Sequence, residues 1–214
     1  MTRRFTDLDP ERVHSNLERV RERIAAAGGD PDAVEVCAAV KYVAAGELPA
    51  LAQAGIRLVG ENRAQDLVAK HGLHGHLFEW DFIGALQSRK VKELSPVVRI
   101  IHSVASDSAL AQLARHRAPE VLVQVNVAGE EGKAGIAPEA LGDFIGACPV
   151  PVTGLMTMPP FTERPEDSRP HFARLAELAA EHGLARLSMG TTQDYEVAVA
   201  EGATIIRVGS ALYA

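Results

Sequence analysis

A lysine closes an apolar run near the start of this chain. The run is Val34-Glu35-Val36-Cys37-Ala38-Ala39-Val40-Lys41, and it reads as a buried strand. An ammonium is costly to desolvate, so a lysine at the mouth of a core needs either a route to water or a task. A lysine amine condenses with an aldehyde only when unprotonated, a state that burial favours. Far down the chain, two Gly-rich turns follow strand-like runs: Leu187-Ser188-Met189-Gly190-Thr191-Thr192 and Arg207-Val208-Gly209-Ser210. Glycine lets backbone approach an anion closely, and the N–H groups at a helix start favour one. Ser188, Thr191 and Thr192 add hydroxyl donors. One part of the chain thus offers an amine for an aldehyde, and another a cradle for a phosphate. Pyridoxal phosphate carries both groups.

Each of these residues also has an ordinary structural use. Lys41 could snorkel from a strand end to solvent. Thr191 or Thr192 could cap the helix that follows. Arg207 lies two residues before Gly209 and shares its strand face. Pointing inward, it could meet a phosphate, a carboxylate or a pyridine nitrogen, or pair with Glu61 or Asp194. Asn62, ending Gly60-Glu61-Asn62, could bond a ligand oxygen or cap a helix. Trp80, Phe82, Met156 and Met158 read as packing residues. Asp81 shares the face of Ile83, toward the interior. No nucleophile elbow and no P-loop is present. His71, His74 and His76 sit in a Gly-rich stretch and are not read as a metal site. Cys37 and Cys148 are far apart and form no CxxC pair, so Cys37 reads as a small core residue.

The elements that must position these residues alternate along the chain. A helix is expected from Asp9 to Ala27, with Pro10 in its first turn and Gly28-Gly29 as its stop. Strands are expected at 34–41, 57–62, 79–84, 99–104, 121–127, 152–158, 185–190 and 204–209, with seven helical segments between them. That alternation implies parallel pairing, and continuous apolar runs imply strands covered on both faces. The expected fold is α/β, a single (β/α)8 TIM-type barrel preceded by an N-terminal helix, with an open doubly wound sheet as the alternative. Lys41, Asn62, Ser188, Gly190, Arg207 and Gly209 then fall at or near strand C-terminal ends, the active face of such barrels. Pro159 to Pro165 reads as a loop, so the 214 residues form one domain, 1–214.

The net charge of −6 argues against a nucleic-acid surface. The N-terminal stretch from Arg3 to Arg23 mixes both signs, as a solvated helix face does. No stretch approaches the length of a membrane span, and no apolar leader opens the chain. With no disulfide framework, a cytoplasmic protein is expected.

These residues resemble the pyridoxal phosphate homeostasis protein family, whose fold is similar to the N-terminal barrel of alanine racemase. The matching stretches are Ala39-Val40-Lys41, Gly60-Glu61-Asn62 with Gln65, Phe82-Ile83-Gly84, Gln124-Val125-Asn126, Gly154-Leu155-Met156, Leu187-Ser188-Met189-Gly190 and Arg207-Val208-Gly209-Ser210. They run in order and span nearly the whole chain. The resemblance implies that Lys41 holds pyridoxal 5'-phosphate as an internal aldimine. It implies that Ser188, Met189, Gly190, Gly209 and Ser210 cradle the phosphate, that Arg207 faces the pyridine nitrogen, and that Asn62 lies near the ring. There are departures: Val40 stands where the family has Ser or Thr, Asp81 and Ala85 where it has His, Arg89 where Asn is usual, and Thr191-Thr192-Gln193 where Met-Ser-Gly is common.

The implied function is intracellular pyridoxal phosphate and amino-acid homeostasis without vigorous turnover, as a monomer that could exchange cofactor with pyridoxal-phosphate-dependent apoenzymes. An arginine only donates, so it favours an unprotonated ring and a weaker electron sink. The alternative is an amino-acid racemase or related α-carbon enzyme, for which Tyr42 and Tyr195 are the candidate second bases. Before the resemblance is considered, a Schiff-base aldolase acting on sugar phosphates stands beside both.

Overall fold

The structure, a computed structural model, describes residues 5–214; Arg3, at the head of the mixed-charge stretch, lies outside them. Eight parallel strands close into a barrel in sequence order. They are β1 (Glu35–Ala39), β2 (Leu58–Glu61), β3 (Glu79–Phe82), β4 (Ile100–Val104), β5 (Glu120–Gln124), β6 (Val152–Met156), β7 (Arg186–Thr191) and β8 (Ile205–Val208). Closure is made by β1 on β8, where Glu35 to Ala38 pair with Ile205 to Val208 in register. The helices are α1 (Pro10–Ala26), α2 (Leu48–Gln53), α3 (Ala64–His74), α4 (Val91–Leu94), α5 (Asp107–Leu113), α6 (Leu141–Ala147), α7 (Arg169–Glu181), α8 (Tyr195–Ala200) and α9 (Ser210–Tyr213).

Strand alternation splits the apolar residues into two cores. Cys37, Leu58, Ile100, Leu122, Met156 and Ile205 come from six different strands and fill the barrel interior. Their neighbours, such as Ala38, Val59, Ile101, Val121, Leu155 and Ile206, face outward into the helix layer. Helix α1 shows how sequence dictates its element. Asp9 accepts from the Glu11 N–H, Pro10 starts the helix, and Gly28 leaves it at φ +88°. Its buried stripe, Val13, Leu17, Val20 and Ile24, repeats at helical spacing.

Two differences from expectation have physical causes. Most strands stop short of their predicted ends, β1 at Ala39 rather than Lys41. The Val40 N–H still bonds Gly60 O at 2.9 Å, but Val43 N–H turns back onto Val40 O at 3.0 Å and lifts Lys41 out of the ladder. Helix α9 is not anticipated, because four residues are too few to show a period. It is fixed from outside, by Asn16 Nδ2 donating to Leu212 O at 2.9 Å and Ala214 O at 3.1 Å.

The rims differ in chemistry. At the N-terminal end Arg99 pairs with Glu35, Glu79 and Asp81, and Arg186 with Glu35 and Glu120. This charged lattice closes the barrel floor. At the C-terminal end backbone approaches backbone. A Cβ on Gly84 would lie 2.0 Å from the Asn62 carbonyl oxygen. Gly84→Ala is therefore expected to displace the turn after β2 and destabilise the fold by about 1–3 kcal/mol. Urea denaturation measures it, and an unchanged midpoint would refute the crowding.

Candidate functional site

The strand C-terminal ends open into a cavity of about 690 Å³. Lys41, Asn62, Arg207, Gly209 and Ser210 line it, and Thr191, Thr192 and Gln193 form the wall at the end of β7. Lys41 is exposed, not buried as its apolar run suggests. It stands on the turn after β1 with Nζ 4.8 Å from the centroid of the Tyr42 ring.

Asn62 is not a helix cap. Helix α3 begins at Ala64 with Arg63 in the cap position, and the buried Asn62 Oδ1 has no hydrogen-bond partner. The Asn62 backbone is held instead. Its N–H donates to Glu61 Oε1 at 2.7 Å. Glu61 Oε2 accepts from Lys70 Nζ at 2.6 Å, and the same ammonium donates to Val40 O at 2.7 Å. One buried ion pair thus ties the residue before Lys41 to Asn62. Sequence reasoning passed over this pair, because Lys70 looks like an ordinary helix-surface lysine.

Arg207 is buried, and its guanidinium finds neither Glu61 nor Asp194 as an ion-pair partner. Nη1 donates to Ser188 Oγ, and Nη2 donates to Thr157 O at 2.9 Å and Met158 Sδ at 3.0 Å. Burial pulls its pKa down to about 10, with Cys37 and Asp194 acting the other way, so it stays charged at neutral pH. Ser188 is fully buried inside the barrel against Arg207 and His102. The Met189 side chain faces the helix layer. Gly190 has φ +87°, and a Cβ there would meet Ala198 Cβ at 2.6 Å and Tyr195 Cα at 2.9 Å. The close approach it permits is that of α8. The two Gly-rich turns are joined, because Gly209 N–H donates to Thr192 Oγ1 at 3.1 Å. Asp194 braces the first turn, accepting from the Thr191 N–H at 2.7 Å.

Asp81 does point inward. It accepts from Arg99 and lies 2.9 Å from His102 Nε2. Burial pushes its carboxyl up, but hydrogen bonds from His102 and Arg99 outweigh this and hold it below the usual range. Burial pushes His102 below its ordinary value, against the pull of Asp81. Both shifts have the same sign of effect on stability. Between the depressed His102 value and about 6.5 the unfolded chain binds a proton the folded chain refuses, so stability falls as pH drops through that window. The Asp81 contribution is present above about 3.9 and is lost as pH falls through its lowered value. Urea midpoints are expected to decline from pH 7 to pH 5 and further below pH 4. A flat profile would refute the His102 assignment.

The alanine racemase N-terminal domain family matches residues 8–214. The chain is 39% identical to the pyridoxal phosphate homeostasis protein of Aquifex aeolicus over 95% of this chain and 96% of that one. It is 36% identical to the protein of that name from Pseudomonas aeruginosa, over 95% and 94%. Among solved structures, PipY of Synechococcus elongatus with pyridoxal phosphate bound has a TM-score of 0.76 at 32% identity, covering 91% of this chain and 100% of that one. Alanine racemase from Corynebacterium glutamicum shares the fold at a TM-score of 0.70 and 17% identity, with 99% of this chain covering 63% of that one. The chain belongs to the alanine racemase N-terminal barrel family and, within it, to the pyridoxal phosphate homeostasis proteins. Among the described residues no helix is long and apolar enough to cross a membrane.

Proposed function

We propose that residues 1–214 form one domain that binds pyridoxal 5'-phosphate through Lys41 and serves intracellular vitamin B6 and amino-acid homeostasis. The observation that carries this is convergence on one cavity. A reachable amine, a buried guanidinium and an orphaned amide oxygen share its walls with two hydroxyl-bearing turns. The donor set fits the cofactor. Lys41 suits the aldehyde, Arg207 the ring nitrogen, and Asn62 Oδ1 a donor on the ring. Thr191, Thr192, Gly209 and Ser210 suit the phosphate. Ser188, Met189 and Gly190 support that wall from behind, through Arg207, the helix layer and α8.

When bound, the cofactor supplies an electron sink for amino-acid α-carbons. The residues present restrain that chemistry. Arg207 donates only and keeps its proton, so a ring nitrogen facing it stays an unprotonated acceptor. Among the described residues lining the cavity none is a carboxylate. Tyr195 packs in the helix layer, outside the cavity. The reading is therefore a cofactor-holding protein, acting as a cytoplasmic monomer that passes pyridoxal phosphate to apoenzymes. Tyr42 lines the cavity next to Lys41, and this favours amino-acid racemisation as the second reading. Lys41-dependent deuterium exchange at the α-carbon of amino acids would select it.

The test is borohydride reduction after adding pyridoxal phosphate, followed by peptide mass mapping. The expected adduct is confined to Lys41. No adduct there, or adducts spread over exposed lysines, would overturn the reading.

A further inference from the structure

A line of polar groups runs through the barrel from its charged floor to its mouth. Asp81, His102 and Ser188 have no exposed surface, and Arg207 is only 5% exposed. His102 Nε2 lies 2.9 Å from Asp81 Oδ2, and His102 Nδ1 lies 2.8 Å from Ser188 Oγ. Arg207 Nη1 donates to that same Ser188 oxygen. These groups come from β3, β4, β7 and β8, so closure of the barrel is what brings them together.

The direction of the hydrogen bonds follows from donor capacity. Asp81 already accepts from Arg99 Nε at 3.1 Å and Arg99 Nη2 at 2.8 Å. An ionised carboxylate only accepts, so His102 Nε2 carries the proton and donates to it. A neutral imidazole then has an acceptor at Nδ1, which the Ser188 hydroxyl fills. The Ser188 lone pairs in turn take the Arg207 N–H. The opposite arrangement, an imidazolium, would put a fully buried cation between the guanidinium groups of Arg207 and Arg99. It would also aim two cationic donors at one serine oxygen. Every bond therefore points the same way, from Arg207 toward Asp81.

The set has the residue types of a hydrolytic triad, but not its use. Ser188 Oγ is buried, faces Arg207 rather than the cavity, and has no free approach for an acyl group.

We propose that Asp81, His102 and Ser188 are positioning residues that fix the Arg207 guanidinium in the cavity floor and so set the electronic environment of whatever ring it meets. This gives Asp81 a task at a position where the family it resembles has histidine. The effect on a bound ring rests on the pyridoxal phosphate reading, whereas the direction of the column does not.

The test has two arms. In the protein without cofactor, ¹⁵N NMR of the His102 ring is expected to show a neutral imidazole protonated at Nε2 from pH 6 to 8. A proton at Nδ1, or an imidazolium, would overturn the column. In the protein with pyridoxal phosphate added, Ser188→Ala is expected to move the absorption maximum and weaken binding about tenfold, the scale of one hydrogen bond to a charged group. Ser188→Thr, which keeps the hydroxyl, is expected to stay near wild type. Glu35→Gln loosens the same ion lattice beyond Arg99. It is expected to lower the melting temperature and leave the spectrum unchanged, which a merely structural role would not separate. If Ser188→Ala does not fold, His102→Phe carries the same spectral expectation. Wild-type spectrum and affinity in the variant that folds would overturn the proposal. If the wild type binds no pyridoxal phosphate, the functional reading fails by itself, and the tautomer still decides the column.

Discussion

Lys41→Ala is expected to abolish the borohydride-trapped pyridoxal phosphate adduct while leaving the melting temperature within about 4 °C of wild type. The two halves of this expectation come from the same geometry. Lys41 is exposed on a turn, and its recorded interaction is the cation–π contact with Tyr42 at 4.8 Å. An exposed contact of that kind contributes about 0.5–1 kcal/mol. The barrel therefore loses little when the ammonium goes, whereas the cavity loses the one amine among the described residues that line it. The other lysines are Lys70, Lys90, Lys92 and Lys133, and none of them lines the cavity. Lys70 is buried against Glu61, Lys90 pairs with Glu93, and Lys133 with Glu130. A residual adduct on a defined second lysine would show that the cavity is not the sole reactive centre. A collapse in melting temperature would show that the turn after β1 depends on this side chain for its fold.

The barrel itself was legible because each strand is covered on both faces and so reads as an apolar run between helical segments. The strand ends were less so. Val40 and Lys41 continue the composition of β1, and only the turn-back of Val43 onto Val40 removes them from the ladder. The consequence was functional, since the reading placed Lys41 at a buried mouth and the structure gives it an exposed turn. Glycine roles were ambiguous for a related reason. Gly190 was read as room for an anion, and the space on the side a Cβ would take is filled by Ala198 and Tyr195 of α8, a contact that no local pattern encodes. Arg207 was read as sharing a face with Gly209, with its inward direction left conditional, and the structure buries it inside the barrel. Its partners, however, lie 19 residues away at Ser188 and 50 away at Thr157. His102 had a faint signal that went unused. It alternates with Ile100 along β4, and Ile100 faces the barrel interior. A histidine in phase with an inward isoleucine must find polar company inside, and Asp81 was already read as inward.

The Glu61–Lys70 pair carries the second large expectation. Lys70→Met leaves the Glu61 carboxylate fully buried without its cation. Breaking one side of a buried ion pair costs about 3–5 kcal/mol, which in a chain of this size lowers the melting temperature by roughly 6–20 °C. Replacing both partners by apolar groups, Glu61→Leu with Lys70→Met, removes the stranded charge and is expected to recover most of that loss. Binding should not recover with it. The ammonium also holds Val40 O, and Glu61 Oε1 also holds the Asn62 N–H. The double variant frees both backbone groups, and with them the turns that carry Lys41 and Asn62. It is thus expected to melt near wild type and still trap less pyridoxal phosphate under borohydride at limiting cofactor. Recovery of trapping along with stability would mean that the pair only supports the fold. Stability without trapping would show that a buried charge pair is retained here because its three hydrogen bonds hold two strand ends in register across the mouth of the barrel.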